Sequence, residues 1–148
     1  MRVNMLIQMI LVWTVAMVGL VGFVSTAQAQ DLKVEVRTIA ASKGGDKVDS
    51  SLSDIQSTLN VTFAGYTSFR QLSVDNVVLT QGKSKDVTLP NGAEVTLTFN
   101  GHAGKLVKLG LSIAGKMSTT LRVSSGSTFF QAGMRHKDGI LILAIKVE

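Results

Sequence analysis

From Leu32 to Val147 the chain is written in strands. Apolar and polar residues alternate one for one in stretch after stretch. Leu32, Val34 and Val36 alternate with Lys33, Glu35 and Arg37, and Val95, Leu97 and Phe99 with Glu94, Thr96 and Thr98. Val107, Leu109, Leu111 and Ile113 alternate with Lys108, Gly110 and Ser112, and Met117, Thr119, Leu121 and Val123 with Ser118, Thr120 and Arg122. A two-residue period sends successive side chains to opposite faces of a sheet, so each stretch reads as a strand with one buried and one wet face. The stretches recur at intervals of about ten residues, with turn-forming sequences between them. These turns are Gln81-Gly82-Lys83-Ser84, Pro90-Asn91-Gly92, residues 100–104, Gly115-Lys116, residues 124–127 and Lys137-Asp138-Gly139. Further β-rich segments span 66–80 and 85–89, with Phe69, Leu72, Val74, Val77 and Leu79 as core candidates. This spacing predicts a mainly β domain, an antiparallel β-sandwich or small barrel.

Two segments break the pattern. Ile140-Leu141-Ile142-Leu143-Ala144-Ile145 is apolar without alternation, which predicts a central strand buried on both faces. After a polar loop over 41–50, Leu52, Ile55 and Leu59 fall at i, i+3 and i+7, the spacing of one helical face. Ser50 or Ser51 is the expected cap, with Asp54 in the first turn. A helix this short is marginal alone and has to pack on a sheet. It is expected to close an open end or edge of the β domain.

The first 29 residues have a different character. Arg2 gives a positive start, a largely apolar run covers 5–24, and Ala27-Gln28-Ala29 places small residues where a signal peptidase cuts. The apolar run is also just long enough to span a bilayer as an anchor, but the small-residue site and the polar residues directly after it favour cleavage. The reading is a cleaved signal over 1–29, a single β-rich domain over 30–148, and a location in the bacterial periplasm or outside the cell. With no cysteine anywhere, a cysteine-linked lipid anchor is excluded and the domain has no disulfide to lean on. Roughly 120 residues is enough for a core without such staples.

Composition narrows the chemistry. The formal net charge is +5, of which Arg2 belongs to the signal, and the remaining charges are scattered. The only tryptophan, Trp13, lies in the signal, and beyond it stand one tyrosine, Tyr66, and five phenylalanines. Nucleic-acid binding calls for a broad basic face or stacking aromatics, and neither is visible. His102 and His136 sit in expected turns, with no H-x-H or H-x-x-x-H pairing to suggest a metal site. No G-x-S-x-G elbow is present, and Ser42-Lys43-Gly44-Gly45-Asp46-Lys47 lacks the spacing of a phosphate loop. The expectation is a chain with no catalytic residues, no metal and no cofactor. Arg135, His136 and Lys137 form the densest basic cluster, at an expected hairpin tip. Loop tips on a rigid β scaffold often carry binding, so these three are the candidate binding residues. Set against that is a turn that merely keeps the protein soluble.

The stretch from Leu121-Arg122-Val123-Ser124-Ser125-Gly126-Ser127-Thr128 through Ala132-Gly133 to the strand 139–145 resembles uncharacterised exported bacterial β-domain proteins. Its strand, Gly-Ser-Thr, strand, Gly hairpin is also similar to one in secretins, the outer-membrane channels of secretion and pilus systems. That similarity covers roughly a fifth of the chain. It lacks the repeated periplasmic domains and channel-forming domain of a secretin, so it implies an envelope-associated accessory protein. The leading expectation is therefore a non-enzymatic protein that works by contact with a protein partner in the cell envelope. It has no membrane span once the signal is removed. Sheet edges recruit strands, and residues 86–89 and 32–38 are the expected edges. The alternative is a small-ligand or glycan module using the loops around 101–105 and 135–138.

Overall fold

The computed structural model describes residues 30–148. The expected signal over 1–29 lies outside them. Eight strands follow in chain order: β1 (Asp31–Ser42), β2 (Ser68–Thr80), β3 (Ser84–Thr88), β4 (Glu94–Ala103), β5 (Leu106–Ile113), β6 (Met117–Ser124), β7 (Thr128–His136) and β8 (Gly139–Val147). A 3₁₀ turn (Ser50–Leu52) and a helix, α1 (Gln56–Thr62), lie between β1 and β2. The strands form two antiparallel sheets of order β2-β1-β8-β7 and β3-β4-β5-β6. The path is a meander whose last strand returns beside the first. The chain passes from one sheet to the other at the β2–β3 and β6–β7 connections, and no ladder spans either seam. A barrel would need ladders there, so the architecture is a sandwich. No helix among the described residues is long and apolar enough to cross a membrane.

The alternation resolves into two cores. Leu32, Val34 and Val36 of β1 meet Leu97, Phe99, Leu109 and Leu111 between the sheets, joined there by Leu141, Leu143, Ile145 and Val147 of β8. The opposite face of β8, Ile142 and Ala144, packs with Ile39, Ala41, Phe69, Leu52 and Leu59 in a second core. β8 is thus buried on both sides, as its unbroken apolar run requires. The described residues form three layers: helix, sheet, sheet.

The helix departs from its expected role. It does not close an end or an edge; it covers the outer face of the β2-β1-β8-β7 sheet. That face is apolar where Ile39, Ala41, Ile142 and Ala144 meet, and such a surface has to be covered. The outer face of β1 is polar over Lys33, Glu35 and Arg37, and the cover stops there. The segment is also split. Asp49, rather than Ser50 or Ser51, caps the 3₁₀ turn by accepting from the Ser51 N–H at 3.1 Å. Leu52 and Leu59 are buried and Ile55 packs beside them.

Two strand boundaries and one core candidate differ from expectation. β1 runs to Ser42, into the expected polar loop, because Ala41 belongs to the second core. β4 continues through Asn100, Gly101 and His102, where a turn was expected. Gly101, at φ 89°, is the site of a bulge in the β4–β5 register, and the turn itself falls at Gly104-Lys105. Val74, expected in the core, is 41% exposed. It sits opposite Arg37, on the part of the outer face that the helix leaves open.

Gly139 starts β8 at the point where β8 meets the end of β1. A Cβ built there would collide with the Ala41 carbonyl oxygen. The obstacle is backbone within a ladder, so it cannot swing aside. Gly139→Ala is expected to lower stability by roughly 1–3 kcal/mol, the usual cost of overpacking. Denaturant midpoints of the two proteins measure it. A midpoint unchanged by the substitution would show that the strands are not this close.

Candidate functional site

The β7–β8 hairpin carries the three basic residues marked by the sequence. Its turn is Lys137-Asp138, with Lys137 at φ 50°, a conformation that the first residue of such a turn ordinarily leaves to glycine. Arg135 and His136 are consecutive in β7 and therefore project from opposite faces. Arg135 lies opposite Ile140, whose side chain packs on the helix side. His136 lies opposite Gly139 and is half-buried. With Lys137, Asp138, Ser68 and Arg70 it borders a shallow groove of about 200 Å³ at the end of the sandwich. Arg135 is not part of that wall. The structure thus splits the sequence cluster across two faces.

The other histidine and the other loop lie far away. His102 is a strand residue of β4, not a turn residue, and its ring stands edge-on to Phe99 with centroids 5.4 Å apart. It lies near Asp31, Lys105 and Ser125, at the end where β1 begins. The β7–β8 hairpin lies at the end where β1 finishes. At about 3.3 Å per residue a strand as long as β1 separates the two ends by roughly 35 Å. The loops at 101–105 and 135–138 therefore do not build one ligand site together. Among the described residues, no three His, Asp or Glu side chains gather in a way that would hold a metal ion.

The sheet edges differ from one another. β2 ends one sheet, but Leu72 is an extra residue between the Thr38–Ser73 and Ile39–Gln71 pairs, and Asp75 sits opposite Val36 on the core side. β7 ends the same sheet and is broken by a bulge at Gly133, between Ala132 and Met134. β3, which contains the expected edge 86–89 except for Leu89, is only five residues long and carries Lys85 and Asp86. Bulges, inward charges, short length and exposed charges all discourage strand addition. β6 is eight residues long, with no bulge and no inward charge, and carries a single exposed charge. It pairs with β5 without a register shift from Leu106–Ser124 to Ile113–Met117. Ser118, Thr120 and Arg122 are exposed, while Met117, Thr119, Leu121 and Val123 are half-buried. Arg122 is its one charge. The other expected edge, 32–38, belongs to β1, which is paired on both sides by β2 and β8 and offers no free edge.

One ion-pair cluster ties the helix layer to the sheet. Arg37 donates from Nη1 and Nη2 to the two carboxylate oxygens of Asp54, both at 2.9 Å, and from Nε to Glu35 Oε1 at 2.7 Å. The hydrogen bonds from Arg37 hold the Asp54 carboxyl below the ordinary carboxylate range, and those to Asp54 keep the guanidinium more firmly protonated. A depressed carboxylate contributes stability that is present above its ordinary pKa and lost as pH falls through the lowered value. Asp54 is more than half exposed, which limits the pair to about 1 kcal/mol. Asp54→Asn is expected to lower the urea midpoint at pH 7 and to converge with the wild type towards pH 2. A gap that stays constant down to pH 2 would contradict this role.

No known family, no curated protein and no solved structure matches the chain.

Proposed function

We propose that this chain is an exported, non-enzymatic β-domain protein of the bacterial cell envelope. It works by protein–protein contact, taking a strand from a partner on the free edge of β6. The export reading rests on Arg2, the apolar run over 5–24 and Ala27-Gln28-Ala29. The envelope setting rests on that address and on the resemblance of residues 121–145 to exported β-domain proteins.

The observation that carries the contact mode is the regular register of β6 beside three edges that carry obstacles. A terminal strand leaves alternate N–H and C=O groups without a ladder partner, and an added strand satisfies them. Main-chain bonds of this kind supply affinity, and side chains on alternate positions supply selection. Met117, Leu121, Val123 and, across the seam, Phe129 are partly buried apolar residues packed against the main core. They form the surface over which a partner's alternate side chains would lie.

Thr120 is exposed at the middle of this edge, so Thr120→Lys adds a charge of the kind natural sheets use to protect their edges. Pull-down from an envelope extract with wild type, Thr120→Lys and the Arg135→Ala/Lys137→Ala double variant tests the proposal. The specific partner is expected to be lost at least about tenfold with Thr120→Lys and kept by the hairpin variant; both variants fold, since exposed substitutions cost within about 0.5 kcal/mol. The opposite pattern would move the contact to the hairpin tip. Equal capture by all three would overturn strand addition.

A further inference from the structure

The β6 edge is also suited to itself. We propose that the strand it takes is β6 of a second copy of this chain, paired antiparallel about a two-fold axis at Thr120. This rests on the reading of β6 as a strand-accepting edge and names its occupant.

The register follows from three observations. First, the Ser124 carbonyl already accepts from the Ser127 N–H at 3.1 Å, so the turn into β7 occupies that end. The usable edge runs over 117–123, and its middle residue is Thr120. Second, side chains directly opposite one another in a sheet share a face. A two-fold axis at Thr120 sets Thr120 against Thr120, Ser118 against Arg122, Thr119 against Leu121 and Met117 against Val123. Exposed residues then meet exposed ones, and half-buried residues meet half-buried ones. Third, Arg122 is the only charge on the strand. In this register the two Arg122 side chains stand four residues apart along the strands, about 14 Å, beyond the Debye length of about 8 Å at physiological ionic strength. Each faces a serine hydroxyl. A register centred on Arg122 would set the two guanidiniums directly opposite, which is destabilising. The result is an isologous contact that closes at two copies and joins two four-stranded sheets into one.

The absence of cysteine makes the test clean. Residues directly opposite across an antiparallel pair have Cα atoms about 4.5–5.5 Å apart, within disulfide range. Under mild oxidation, Thr120→Cys alone is expected to give a disulfide-linked dimer. Ser118→Cys alone and Arg122→Cys alone should give at least tenfold less, whereas a mixture of those two proteins should cross-link to each other. Sedimentation should show the wild-type mass doubling with concentration, and Thr120→Lys should remain a monomer with an unchanged circular dichroism spectrum. A wild type that stays monomeric up to about 100 μM, or equal cross-linking at all three positions, would overturn the proposal. If the wild type is monomeric but Thr120→Lys still abolishes capture of the envelope partner, the second copy is excluded and strand addition stands. If capture is also unaffected, both fall.

Discussion

Burial of β8 on both faces is the constraint on which the rest of this structure depends. Leu141, Leu143, Ile145 and Val147 fill the space between the sheets, and Ile142 and Ala144 fill the space under the helix. Each buried Leu or Ile is worth about 1.5–3 kcal/mol, so a strand that buries four of them, with Val147 and Ala144 beside them, dominates the balance of a domain without disulfides. Such a strand cannot stand at an edge. It needs a ladder on either side, which β1 and β7 supply. It also needs a layer on either side, which accounts for a short helix in a β protein.

The edges follow from the same constraint. With β8 returned beside β1, the two ends of the first sheet are β2 and β7, and those of the second are β3 and β6. Three of the four carry an obstacle to further pairing, at Leu72 and Asp75, at Gly133, and at Lys85 and Asp86. Among the described strands, β6 is the terminal one whose unpaired backbone groups run along a full-length, regular ladder. The stability of the central pair and the availability of this edge are thus two consequences of one topology. The first holds the scaffold rigid, and the second is what the proposed strand addition would use.

What could be read from the sequence was local. The unbroken apolar run at 140–145 and the alternation at 107–113 and 117–123 signal burial through their own periodicity, and the structure keeps them as strands. Leu52, Ile55 and Leu59 likewise pack into one core, although only Leu59 lies within α1 and the expected single helix is split. Long-range relations were not legible. Residues 32–38 look like an edge strand by composition, because Lys33, Glu35 and Arg37 make one face polar, yet the return of β8 places them inside the sheet. Val74 looks like a core residue, but the extra residue at Leu72 and the limited reach of the helix leave it in solvent. Gly101 reads as a turn because a bulge and a turn both call for glycine at positive φ. Arg135, His136 and Lys137 look like one patch because they are adjacent in sequence, and strand geometry sends the first two to opposite faces. The β6 edge had a signal in Met117–Ser124, a regular strand without Gly, Pro or more than one charge. Its position at the end of a sheet depends on which strands pair, and that is fixed by the whole fold.

The claim that β8 organises the molecule is tested most directly by native-state amide hydrogen exchange, followed strand by strand at low protein concentration. Amides in ladders buried under two layers exchange only when the whole domain unfolds, whereas those of edge strands open locally. β8 and the part of β1 paired with it are expected to be the slowest to exchange, at the free energy of global unfolding, with β6 and the helix exchanging well before them. Amides of β8 that exchange as early as those of β6 would contradict that claim.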